Sequence, residues 1–103
     1  MLIMDKALNL IGLMRKANRI SLTEDKCRED IKNRKSQLVL IASDCSERVS
    51  KKIRELCDKY DVRCIETDYT KADLASAAGS GLCSVISIND SGFSKAFLEL
   101  LKA

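Results

Sequence analysis

Gln37-Leu38-Val39-Leu40-Ile41-Ala42 is an almost unbroken β-prone apolar run in a chain that is otherwise densely charged. A strand with one wet face alternates apolar and polar residues. A run without alternation belongs to a strand covered on both faces, as in a sheet sandwiched between helices. This stretch is therefore expected to be the central strand.

Working outward toward the C-terminus, Ser46 can cap a helix whose inward stripe is Val49, Ile53, Leu56, Cys57 and Tyr60, with Lys51, Lys52, Arg54 and Glu55 facing out. Residues 62–66 follow as a short strand. Thr70-Lys71-Ala72-Asp73 resembles a capping box in which Asp replaces the usual Glu, and opens a short helix to Ala78. Gly79-Ser80-Gly81 ends that helix, residues 83–88 return as an apolar strand, and Asn89-Asp90-Ser91-Gly92 turns into a last helix with Phe93, Ala96, Phe97, Leu100 and Leu101 inward.

Toward the N-terminus, Met4, Ala7, Leu8, Ile11 and Met14 have the three-and-four spacing of an amphipathic helix over residues 4–17, which Asn18 can stop in the left-handed conformation. Residues 19–22 suffice for one strand. A second helix starts at Thr23 and runs to Arg34 with only Cys27 and Ile31 clearly inward, so it is expected to be largely solvated. Strict alternation of helices and strands with short connections predicts an α/β fold, a three-layer α/β/α sandwich around a four-stranded sheet.

The 103 residues are expected to form one domain, 1–103, since two cores would be too small to hold. Lys plus Arg exceed Asp plus Glu by 18 to 15, and the resulting +3 permits a polyanionic partner without requiring one. The apolar Met1–Met4 segment lacks the flanks of a signal peptide and no run reaches the length of a membrane span, which points to the cytosol. There reduced thiols are normal, so five cysteines, Cys27, Cys45, Cys57, Cys64 and Cys83, need no pairing scheme.

Catalysis is poorly provided for. With no His, no Cys-x-x-Cys and no phosphate-binding glycine motif, neither a metal site nor a cofactor nor a small-molecule substrate is expected. Glu24-Asp25 and Glu29-Asp30 read as a solvated helix face, because adjacent helical residues point apart. Cys45, between a strand and a helix N-terminus, is the one thiol whose position could activate it, and it lacks a base.

Several separated segments carry a resemblance: Leu10-Ile11-Gly12-Leu13-Met14-Arg15-Lys16-Ala17, Leu38-Val39-Leu40-Ile41-Ala42-Ser43-Asp44, and Asp90-Ser91-Gly92-Phe93. In order and spacing the chain resembles the kink-turn-binding large-subunit ribosomal proteins of the L7Ae/L30e superfamily, and in detail their bacterial YlxQ-like branch, from about residue 7 onward. The resemblance implies an L30e-like sandwich with a mixed sheet, no enzymatic activity, and structured RNA as partner, including ribosomal RNA and the transcription or translation machinery. The sequence leaves the oligomeric state open, with a monomer favoured. It implies that RNA bent by sheared G·A pairs is gripped by the start of the second helix and the loop before the last strand.

In that family the second helix opens with Gly, a small residue, then Asn-Glu, with a Lys three residues after the Glu. The matching positions here are Thr23, Glu24, Asp25, Lys26 and Glu29. All five depart, and Glu29 sets a carboxylate where the family holds a cation against phosphate. Lys26, Arg28 and Lys32, on the same helix, could supply backbone contacts in its place. The loop residues implied are Gly81, Leu82 and Cys83, within Gly79 to Ser84. An alternative is a protein-interaction module that keeps the fold without recognising kink-turns.

Overall fold

The computed structural model describes residues 5–102, so Met4, expected at the head of the first helix, lies outside the described residues. Five helices and four strands alternate: α1 (Lys6–Lys16), β1 (Ile20–Ser21), α2 (Glu24–Lys32), β2 (Leu38–Ile41), α3 (Glu47–Lys59), β3 (Arg63–Glu66), α4 (Lys71–Ala78), β4 (Val85–Ile88) and α5 (Ser91–Lys102).

Every helix starts on a side-chain oxygen that accepts from its own first turn. Asp5, Thr23, Ser46 and Thr70 do so for α1 to α4, and the Asp90 carboxylate accepts from the Phe93 N–H at 2.8 Å in α5. The box at Thr70 and Asp73 is complete, each side chain accepting from the other's backbone. The first four helices also end alike. A residue in the left-handed region follows each, Asn18, Arg34, Asp61 and Gly79, and the next N–H reaches back to Met14, Asp30, Cys57 and Ala75 carbonyls at 2.8–3.0 Å. This closes each C-terminus with a Schellman-type bond.

The sheet order is β1-β4-β2-β3. β2 and β3 are parallel, while β4 is antiparallel to both β2 and β1, so the sheet is mixed. β2 lies inside the sheet and is buried throughout, as its unbroken apolar run requires. Its alternate side chains feed two cores. Leu38 and Leu40 meet Ile11 and Met14 of α1, Leu74 of α4 and Phe97 of α5 on one face, whereas Val39 and Ile41 meet Cys27 and Ile31 of α2 and Ile53 and Cys57 of α3 on the other. Between α1 and α4 the approach is close enough that a Cβ at Gly12 would stand 3.2 Å from the Ala77 carbonyl oxygen.

Three details differ from the sequence reading. Ala96 and Leu101 of α5 are exposed, because the face of α5 over the sheet is filled by Phe97 with Phe93, Leu98 and Leu100 packed partly buried beside it. The β1 pairing is confined to Ile20 and Ser21, opposite Ile88 and Ser87. Asp30, expected on a solvated face, is buried.

The register decides what meets at the edge. Ile41 pairs with Val85 and Ser21 with Ser87, so the β1–α2 junction and the loop entering β4 come together at the end of the sheet where β2 and β3 finish. No helix among the described residues is long and apolar enough to cross a membrane.

Candidate nucleic-acid interface

Two thiols fasten the start of α2 to the sheet. The Cys27 thiol donates to the Ser21 carbonyl at 3.3 Å and lies 3.8 Å from that of Val85. The Cys83 thiol, with a single proton to share, lies 3.4 Å from the Val85 carbonyl oxygen and 3.6 Å from that of Leu22. The second contact ties the loop before β4 to the residue just ahead of the α2 cap. The helix opening and the glycine loop, singled out separately in the sequence, thus form one surface.

On that surface Thr23 caps α2 by accepting from the Lys26 N–H at 3.2 Å, and Glu24 and Asp25 sit in the first turn, where carboxylates are favoured by the helix dipole. Arg28 reaches back to Glu24 and Asp25, both at 3.4 Å. Lys26 reaches forward to Glu29 and Asp30, both at 3.5 Å; Asp30 first and Glu29 second raise its pKa above the ordinary lysine value. Lys32 is exposed at the last turn. In the loop, Gly79 carries φ 66°, Gly81 is exposed, and Leu82 is 80% exposed at the tip. Cys83 is 1% exposed, so its thiol serves the tether and is turned away from any ligand.

Sequence reading missed the support beneath α2. The buried Asp30 carboxylate accepts from the Ser21 hydroxyl and, at 2.9 Å, from the Asn89 side-chain amide. The Ser87 hydroxyl joins Ser36 and the Asn89 carbonyl oxygen, both at 2.7 Å. Every polar group in this seam is paired, the condition for burying it at acceptable cost. Its members lie on β1, α2, β4 and the turns beside β2 and β4, so no local spacing announces them.

Cys27, Cys45 and Cys83 lack a nucleophile's electrostatics. Partial burial pushes Cys45 up from its ordinary value despite nearby Lys71, and burial pushes Cys83 to about 11 and Cys27 to about 12. The neighbouring Cys64 thiol, and burial after it, push Cys57 above its ordinary value, and the same neighbour draws Cys64 down. Among the described residues no group of three or more His, Cys, Asp or Glu could hold a metal ion.

The arrangement is an α/β/α sandwich offering a capped helix start beside a glycine loop with an apolar tip. The profile of the Ribosomal protein L7Ae/L30e/S12e/Gadd45 family matches residues 5–98, and the chain belongs to that family. Within it, the chain is similar to the RNA-binding protein YlxQ of Enterococcus faecium, 35% identical over 97 residues that cover 94% of this chain and 92% of that protein. The RNA-binding protein YlxQ of Bacillus subtilis is 29% identical over 92 residues, covering 89% and 91%. Among solved structures, a protein with unknown function from Bacillus halodurans superposes with a TM-score of 0.86 at 25% identity, covering 97% of this chain and all of that one. The Giardia lamblia 15.5 kD RNA binding protein shares the fold, with a TM-score of 0.74 at 19% identity over 92% of this chain and 81% of its own.

Proposed function

We propose that this chain is a non-enzymatic cytosolic domain that binds structured RNA of the kink-turn type, through the Thr23–Lys32 face of α2 and the Gly79–Ser84 loop. The observation that carries this reading is the Cys83–Leu22 tether, which holds an exposed Leu82 beside a helix N-terminus. A helix start offers backbone donors to phosphate, and an apolar tip can pack on an extruded base, which is how RNA is read when its shape presents unstacked bases. The family and the two YlxQ relatives support RNA as the partner class.

Arg28 and Lys26 are each neutralised by carboxylates of their own helix. That specific observation favours a second reading, a protein-interaction module on the same surface. A filter-binding titration against a kink-turn RNA and a control with its G·A pairs disrupted, at low and moderate salt, separates the two. Tight binding to the intact RNA alone is expected; weak and equal binding to both overturns the kink-turn reading.

A further inference from the structure

A groove between α2 and α3, of about 370 Å³, is lined by Arg28, Lys32, Lys52, Glu55, Leu56 and Lys59. Four cations thus converge beside one carboxylate. Arg28 is paired with Glu24 and Asp25, but Lys32, Lys52 and Lys59 have no carboxylate within ion-pair distance among the described residues. Lys59 instead lies 5.7 Å from the Tyr60 ring. Gathering like charges along a concave surface is unfavourable for the free protein and concentrates positive potential there, which draws a polyanion.

The placement is continuous with the surface described above. Glu24, Arg28 and Lys32 fall on one i, i+4 ridge of α2, about 6 Å of rise per step, while Lys52 and Lys59 are two turns apart on α3. A nucleic-acid backbone that leaves the first turn of α2 along this ridge enters the groove between two rows of cations. Glu29 is exposed, paired with Lys26 and outside the lining of the groove, so it does not oppose that path.

We propose that the α2–α3 groove holds consecutive phosphates of the RNA stem that flanks the segment contacted at the α2 N-terminus. This rests on the RNA reading and extends it to a second element, α3. The groove supplies the cationic contact that the carboxylate at Glu29 removes from the opening of the helix.

The test uses Lys52→Gln/Lys59→Gln, on α3 and outside the surface already assigned. Lys6→Gln/Lys95→Gln, in the opposite helical layer, removes the same charge as a control. Both pairs are exposed, and matched thermal unfolding confirms that each variant is folded. Binding of the structured RNA is measured across a salt series. The slope of log K against log salt is expected to flatten by about 1.4–1.8 for the groove variant, two phosphate contacts at roughly 0.7–0.9 each, and to stay unchanged for the control. RNA binding by the wild type with indistinguishable variants overturns the groove and leaves the RNA reading standing. Absence of any RNA binding by the wild type overturns both, and competition by polyglutamate as effective as by RNA overturns the groove in favour of an acidic protein partner.

Discussion

The two helical layers of this sandwich divide the work unequally. The α1, α4 and α5 side buries Phe97, Met14, Ile11 and Leu74 against Leu38, Leu40, Ile86 and Ile88, and its cluster is the larger of the two. The α2 and α3 side buries Ile31 and Ile53 with two thiols, Cys27 and Cys57, against Val39, Ile41 and Val85. Beside it lies a paired polar seam built on Asp30. Apolar burial drives folding roughly in proportion to area. A chain this small concentrates that drive on one face, which leaves the other free to carry carboxylates and cations. The layer proposed to carry the RNA contacts of α2 and α3 is the one that contributes less to the core.

The largest expected effect lies in the thicker layer. Phe97→Ala leaves a cavity under α5 that the sheet cannot close, and should cost about 3–5 kcal/mol of stability in urea denaturation, against the smaller losses expected from α2. A loss near zero would erase the distinction between the layers. Next comes the seam. Asp30→Ala leaves the Ser21 hydroxyl without its acceptor, the Asn89 amide with only the longer contact to the Ser21 oxygen at 3.3 Å, and Lys26 without one of its two partners, with an expected loss of about 1–3 kcal/mol. The native fraction should also show faster amide exchange in α2, since that seam joins the helix to β1 and β4.

The same contrast explains what the sequence disclosed. The thick layer was legible because periodicity reports burial directly. Ile11 and Met14 announce α1, and the unbroken Leu38–Ile41 run announces a doubly covered strand. The α2 surface was half legible: Thr23 as a cap and Gly79 as a stop have local signatures. Asp30 was not, because a carboxylate beside Glu29 reads as solvent-facing until Ser21, nine residues earlier, and Asn89, fifty-nine later, are brought to it. Arg34 and Asp61 take the left-handed position that Asn and Gly usually mark, so two helix ends left no trace. Cys83, expected among the RNA-contacting loop residues, stays in the loop but turns its thiol inward.

Two buried thiols, Cys27 in the thin layer and Cys83 in the thick one, add an effect of comparable size that depends on pH. Burial pushes Cys27 from 9.0 to about 12 and Cys83 from 9.0 to about 11. Below about pH 9 folded and unfolded chains both hold these protons, and stability is at its full value. Above it the unfolded chain ionises first, so stability falls until the folded-state values are reached, with a limiting slope of about 1.4 kcal/mol per pH unit for each group. Melting temperatures at pH 8 and pH 10.5 should therefore diverge more in the wild type than in Cys27→Ala. Equal divergence would mean that the thin layer opens before its thiols are tested.

The smallest effect is the most informative about the surface. Glu29→Lys restores a cation where the family carries one and frees Lys26 from one of its two carboxylates, while Asp30 continues to hold it. Because position 29 is exposed, the change should act through phosphate attraction alone and leave thermal stability nearly unaltered. If RNA runs across this side of α2, affinity should rise about two- to fivefold, the equivalent of one exposed charge contact, and the salt slope should steepen by about 0.7–0.9. A gain without a steeper slope would assign the effect to release of Lys26 and not to a new phosphate contact. No gain in either would mean that RNA keeps to the α3 side of the helix, where Arg28 and Lys32 face Lys52 and Lys59, and that the carboxylate at position 29 is tolerated because no phosphate approaches it.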